Sequence, residues 1–243
     1  MRFTFFVLSL LVLTTLNAAE LPTPVHFVLV GDSTVTDDSG WGKGFKSLIT
    51  DKATCDNTAT GGRSSKSFIA EGRLKKALAL KGTIYLIQFG HNDQPGKGPE
   101  RETDPATTFR ENLATYIKEI QAIGGTPVLV TSLVRREFEK AKDGVLQSNL
   151  LPYAEAAKAV AAEKHVAVID LHTSSKALVE KWGAKKCETI SPLTDKGKVD
   201  LAHLNAEGST VFAKLVVEDL IKVMPELKPC CKEFSTIEDV PGK

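Results

Sequence analysis

Val25-His26-Phe27-Val28-Leu29-Val30, followed at once by Gly31-Asp32-Ser33-Thr34, is the stretch that decides the fold. Its apolar positions run on without alternating with polar ones, and most are β-branched or aromatic. That is the signature of a parallel strand buried on both faces. Gly-Asp-Ser then breaks the run, and Trp41 and Gly42 lead into a helical pattern. A serine just past the carboxyl end of such a strand sits where open α/β sheets place their ligands.

Four more segments repeat the strand reading. Ala53–Asn57 is a short strand leading into Ala59-Thr60-Gly61-Gly62-Arg63-Ser64-Ser65, and Thr83–Phe89 is a buried strand ending in Gly90-His91-Asn92-Asp93. Pro127–Thr131 and Val166–Leu171 complete the set. Between them the 3.6-residue pattern predicts helices over Phe45–Lys52, Ser67–Leu80, Pro105–Ile123, Pro152–Lys164 and Thr173–Trp182. Asp104 and Gly124 are read as the start and stop of the third of these. Residues 183–204 read as a long irregular segment, followed by a last helix from Asn205 to Met224 and an irregular tail over 225–243. Strands alternating with helices require right-handed crossovers. The expected fold is therefore a three-layer α/β/α sandwich with a five-stranded parallel sheet in the flavodoxin-like order 2-1-3-4-5.

The start of the chain reads differently. Arg2 precedes an apolar run from Phe3 to Leu13, and small residues follow up to Ala19. This is the pattern of a secretory signal peptide cleaved after Ala18 or Ala19, too short to span a bilayer. Residues 1–19 are thus assigned to the leader and 20–224 to one domain, in a secreted or periplasmic monomer without stable membrane association. Thirty-one basic residues against 30 acidic ones give a net charge of +1, which argues against a nucleic-acid binder. Of four cysteines, Cys55 reads as a buried free thiol, and Cys187 is open to pairing with Cys230 or Cys231. The cysteines lack zinc spacing, and the histidines show no His-Glu-x-x-His, so no metal or cofactor is expected.

Ser33, Gly62 and Asn92 follow strands one, two and three, so a parallel sheet puts all three on its carboxyl edge. Asp200 and His203 reach the same edge if the last helix packs back on the sheet. Acyl transfer needs this set: a hydroxyl nucleophile, a base to deprotonate it, a carboxylate to fix the base's tautomer, and donors aimed at the developing oxyanion. Gly31-Asp32-Ser33, Gly62-Arg63-Ser64, Gly90-His91-Asn92-Asp93 and Asp200-x-x-His203 together resemble the SGNH (GDSL-type) hydrolases, and within them the rhamnogalacturonan and pectin acetylesterases. The resemblance implies Ser33 as nucleophile, His203 as general base and Asp200 as its orienting acid. It also implies Ser33, Gly62 and Asn92 as the oxyanion hole.

Other groups have competing readings. Asp32 fits a turn residue that bonds nearby amides. Asp170-Leu171-His172, at the end of strand five, is a rival acid–histidine pair. His91 is expected to shape the loop that presents Asn92, and with Arg63, Arg135 and Arg136 it is a candidate for binding substrate. Guanidinium forks at the active edge suit the carboxylates of galacturonate chains. The expected activity is release of acetate from a plant cell-wall polysaccharide, with pectin first and acetyl xylan next. A lipid or small-ester esterase, or a carbohydrate-binding protein without turnover, are the alternatives.

Overall fold

The computed structural model describes residues 23–140, 145–235 and 237. The expected leader, residues 1–19, lies outside them. Five parallel strands, β1 (Val25–Gly31), β2 (Ala53–Asn57), β3 (Ile84–Gln88), β4 (Thr126–Val130) and β5 (Ala167–Ile169), lie in the order β2-β1-β3-β4-β5. Among the described residues seven α-helices surround the sheet: α1 (Gly42–Ser47), α2 (Ser65–Ala70), α3 (Arg73–Leu78), α4 (Thr108–Ala122), α5 (Leu151–Lys164), α6 (Leu171–Thr189) and α7 (Ala206–Val223). None of the described helices is long and apolar enough to cross a membrane.

The unbroken apolar run of β1 has a direct cause. Phe27 and Leu29 enter one core with Phe45, Leu86 and Phe212, on the side of α1, α6 and α7. Val28 and Val30 enter the other with Phe68, Tyr85, Tyr116 and Tyr153, on the side of α2, α4 and α5. Both faces of the strand are covered, so polar residues have no place on either. Each large side chain buried this way contributes roughly 1.5–3 kcal/mol.

Helix α7 carries the end of the chain back onto the sheet, against α1, α6 and β5. It crosses α1 at Gly44, whose N–H donates to Ser209 Oγ at 3.0 Å. A Cβ on Gly44 would lie 2.3 Å from the Ser209 carbonyl oxygen, so only glycine permits this approach. Asn205 caps α7 by accepting from the Gly208 N–H at 2.9 Å.

Three local expectations change. The segment read as one helix over 67–80 is two, separated by Gly72 with φ of 68°. Residues 183–189, read as irregular, continue α6 beyond a break at Gly183, where φ is 72°. The tail is packed in part: Pro225–Cys230 forms a 3-10 helix, and Leu227, Cys230 and Cys231 are buried in the α1/α7 core. All four cysteines are free thiols. Cys187 lies in α6 with its thiol toward the Val179 carbonyl, whereas Cys230 Sγ faces the Lys52 carbonyl.

Candidate active site

The turn after β1 is set by a buried polar chain. Asp32, fully buried, accepts from the Thr34 N–H at 2.9 Å and the Thr34 hydroxyl at 2.6 Å through Oδ1. Gln88 Nε2 donates to Thr34 Oγ1 at 2.7 Å, and Trp41 Nε1 donates to Gln88 Oε1 at 2.9 Å. Such a chain holds its members in one arrangement, because any break leaves a polar group stranded in the core. The Ser33 carbonyl in turn accepts from the hydroxyls of Thr36 at 2.8 Å and Ser39 at 3.1 Å. Asp32 is a turn residue, as expected from sequence. Burial pushes its carboxyl pKa up even though the Thr34 donors pull it down.

Ser33 is left half-buried at the edge, with its Oγ 2.9 Å from His203 Nε2. His203 Nδ1 lies 2.8 Å from Asp200 Oδ2. Asp200 Oδ1 accepts from the backbone N–H groups of Ala202 at 2.8 Å and His203 at 2.9 Å. Burial works against the Asp200 charge, but the His203 amide, the His203 ring and the Ala202 amide outweigh it and hold the carboxyl at about 2. An ionised Asp200 places the imidazole proton on Nδ1 and leaves Nε2 to accept from the Ser33 hydroxyl.

The three expected oxyanion donors come from neighbouring loops. Thr60 N–H donates to the Gly31 carbonyl at 2.9 Å, which lays the 58–62 loop against the end of β1. A Cβ on Gly61 would lie 3.7 Å from Ser33 Cβ. Gly62 has φ of 75°, and a Cβ there would meet nothing within 4 Å, so the backbone conformation rather than space calls for glycine. Asn92 Nδ2 donates one hydrogen to the Arg63 carbonyl at 3.2 Å. An amide nitrogen carries two hydrogens, so one stays free for a substrate oxygen.

Beneath these loops lies a set of residues the sequence reading passed over. Asp93 accepts from the Ser65 N–H at 3.1 Å, the Ser65 hydroxyl at 2.5 Å and the Thr103 hydroxyl at 3.0 Å. It joins the Asn92 loop to the start of α2, next to Gly62. Burial raises its carboxyl to about 7 against the pull of those donors. Its sequence signal was a third polar residue in a row after Gly90. Gln88, ending an otherwise apolar strand, was a second such signal.

Of the four candidate substrate contacts, Arg136 and His91 are buried, and Arg63 and Arg135 are half-buried. Arg136 is 1% exposed: Nε donates to Ser191 Oγ at 2.9 Å and Nη2 to the carbonyls of Asp200, at 3.0 Å, and His203. It is a strut beneath the Asp200–His203 segment and cannot reach a polymer. Arg63 donates through Nε to Glu71 and through Nη1 to the Gly61 carbonyl at 2.8 Å, so it braces the Gly62 loop. His91 is buried, and neither ring nitrogen is exposed or hydrogen-bonded, with Nδ1 4.0 Å from Asp32 Oδ2. Burial, then the nearby Arg135 charge, drives its pKa well below the ordinary value, so the ring is neutral. Arg135, like Arg63, is half-buried near the surface of the edge, and it is held by neutral acceptors: Gln94 Oε1 at 2.7 Å and Asn149 Oδ1 at 3.1 Å. The rival pair Asp170–His172 is engaged elsewhere: Asp170 binds Lys158 and Thr173, and His172 Nε2 lies 2.8 Å from Ser148 Oγ. Among the described residues, no group of three or more His, Cys, Asp or Glu is gathered that could hold a metal ion.

Residues 29–211 match the model of the GDSL-like lipase/acylhydrolase family. The chain is 36% identical over 223 residues to the rhamnogalacturonan acetylesterase RhgT of Bacillus subtilis (strain 168), covering 84% of this chain and 93% of that one. It is 27% identical over 233 residues to a rhamnogalacturonan acetylesterase of Emericella nidulans, covering 86% and 90%. Among solved structures, the protein YXIM of Bacillus subtilis superposes with a TM-score of 0.69 at 27% identity, over 82% of this chain and 56% of that one. An acetylxylan esterase of Geobacillus stearothermophilus shares the fold with a TM-score of 0.63 at 13% identity, over 83% and 96%. The chain belongs to the GDSL-like lipase/acylhydrolase family and is a carboxylic ester hydrolase.

Proposed function

We propose that the protein is an acetylesterase acting on an acetylated plant cell-wall polysaccharide, with pectic rhamnogalacturonan as its substrate, through an acetyl-serine intermediate. The observation that carries this reading is the continuous Asp200–His203–Ser33 hydrogen-bonded chain beside Gly62 and Asn92. The names of the relatives supply the substrate class. Ser33 Oγ attacks the acetyl carbonyl while its proton passes to His203 Nε2. The carbonyl oxygen becomes negative and is met by the N–H groups of Ser33 and Gly62 and by Asn92 Nδ2. Collapse breaks the ester bond, and the departing sugar oxygen takes the proton from His203. Water then attacks the acetyl-serine, His203 accepts its proton and returns one to Ser33, and acetate leaves.

Two further features support a polymeric, acidic substrate. Ser33 is half-buried rather than enclosed, and the His203 side chain is 35% exposed, so a chain can lie across the edge. Arg135 is hydrogen-bonded to neutral amides, and although the Glu137 charge also acts on it, its guanidinium at the edge suits a substrate carboxylate. The signal-like segment before residue 20 supports an exported enzyme, which mass measurement of the mature protein tests. The deciding experiment is acetate release from acetylated rhamnogalacturonan, homogalacturonan and xylan, with a chromogenic acetate as control. Wild type is expected to prefer the first. Ser33→Ala is expected to lose at least about a thousandfold in kcat on each substrate while keeping its fold. Turnover of the chromogenic ester alone would remove the polysaccharide reading, and an active Ser33→Ala would remove the mechanism.

A further inference from the structure

Beyond Arg135, toward the β5 side, a groove of about 450 Å3 opens between residues 145–151 and α6. We propose that this groove is a distal subsite for a sugar residue of the same glycan chain whose acetyl ester is cleaved at Ser33. The proposal rests on the polysaccharide reading above and extends it.

Placement comes first. The segment that walls the groove is also the one that fixes Arg135, through Asn149 Oδ1. The Asn149 carbonyl accepts from Gln94 Nε2 at 2.8 Å. The same segment therefore touches both the groove and Arg135 at the active edge. Ser33 follows β1 and His172 follows β5, three strands away in the order β1-β3-β4-β5. At a strand spacing of about 4.8 Å that is roughly 14 Å, a span that a short run of linked sugar rings covers.

The lining fits a sugar's mixed surface. Ser148 and His172 form a polar pair, with Ser148 Oγ 2.8 Å from His172 Nε2. Nδ1 makes no bond to a described group. Burial lowers the His172 pKa, which keeps the ring neutral, with one nitrogen donating and the other accepting. His172 is only 2% exposed, so it orients Ser148, and the half-buried Ser148 hydroxyl is the group that can give and take a hydrogen bond with a sugar hydroxyl. Val145 and Leu151, each 47% exposed, offer apolar surface to the C–H face of a ring. Neither His172 nor Ser148 has work in the hydrolytic steps, since Ser33 is served by His203.

The test is a length series of acetylated rhamnogalacturonan oligosaccharides, followed by acetate release. Wild type is expected to gain several-fold in kcat/KM, through KM, once the chain is long enough to run from Ser33 to the groove. Ser148→Ala and His172→Gln are expected to flatten that gain. If buried His172 does not tolerate substitution, half-exposed Ser148 decides the matter. In Ser33→Ala protein, long deacetylated oligosaccharides should shift the His172 imidazole resonances, and short ones should not. A wild type indifferent to chain length, or variants that keep the full gain, would overturn the subsite and leave the esterase reading intact. Failure to release acetate from any glycan, with chromogenic acetate still cleaved, would overturn both.

Discussion

Replacing Arg136 with methionine separates two roles that a basic loop can play. A substrate-reading arginine acts through KM, and only on a substrate with a carboxylate. The structure instead makes Arg136 the support for the carbonyls of Asp200 and His203 and for Ser191 Oγ. Each buried carbonyl left without a donor costs about 1–3 kcal/mol. Two effects offset part of this. Burial opposes the guanidinium charge and Nη1 has no partner, so the wild-type arrangement is itself costly, and methionine fills much of the volume. A cavity of about 150 Å3 lined by Arg136, Cys187 and Leu201 also gives water a place from which to serve the stranded carbonyls. A net loss of about 2–4 kcal/mol follows, which lowers Tm by roughly 5–12 °C for a domain of this size. A shift of His203 by about 1 Å is enough to lower kcat on the order of a hundredfold. Thermal unfolding and steady-state kinetics on an acetylated pectic fragment and on a neutral chromogenic acetate check this. The expected result is an equal loss of kcat on both substrates with KM nearly unchanged, and Arg136→Lys should behave alike, since an ammonium lacks the fork. A KM increase confined to the pectic fragment, with Tm and kcat intact, would refute the strut.

Other changes read single parts of the site. Asn92→Ala removes an oxyanion donor and should lower kcat by roughly a hundredfold or more with little change in KM; a pure KM effect would make it a binding residue. Gly62→Ala forces an L-residue into the left-handed region at a cost of about 1–2 kcal/mol, and as the loop relaxes its N–H leaves the site, so kcat should fall more than stability. Asp200 has a folded pKa held below its ordinary value, so it stabilises the fold above about pH 4 and that contribution is lost as pH falls through about 2. Screening at a partly open site limits this to about 1 kcal/mol. Acid titrations of wild type and Asp200→Asn should therefore converge at the low end, and parallel curves would contradict the shift.

The central strands β1, β3 and β4 were legible because burial on both faces leaves a near-continuous apolar run, whereas edge strand β2 is partly exposed and carries no such run, yet falls where the sequence reading placed it. Ser33, Gly62 and Asn92 could be gathered on one edge because parallel strands put successive loops together, and Asp200 and His203 because the last helix was expected to pack back on the sheet. Side-chain direction was not legible. Arg135 and Arg136 are adjacent in the chain, yet one stays at the edge and the other turns beneath the His203 segment. The helix break at Gly72 was hidden because glycine inside a helical pattern is often tolerated, and only its φ tells whether the helix ends, whereas at Gly183 the break was read and the helix beyond it, to Thr189, was not. The Asp93–Ser65 contact spans 28 positions and leaves no periodic trace.

The close crossing of α1 and α7 at Gly44 governs when the enzyme can first work. Ser33 and its hydrogen-bonding partner His203 are 170 positions apart, and His203 is brought home only when the helix that follows it docks on Gly44. Contacts that distant in sequence form after local ones, and an elongating chain presents its early segments first. A nascent chain therefore carries its serine, both glycines of the 61–62 loop and Asn92 long before the imidazole that makes the serine reactive. Ester hydrolysis is withheld from every unfinished copy of the protein and begins as the last long helix closes over the first short one.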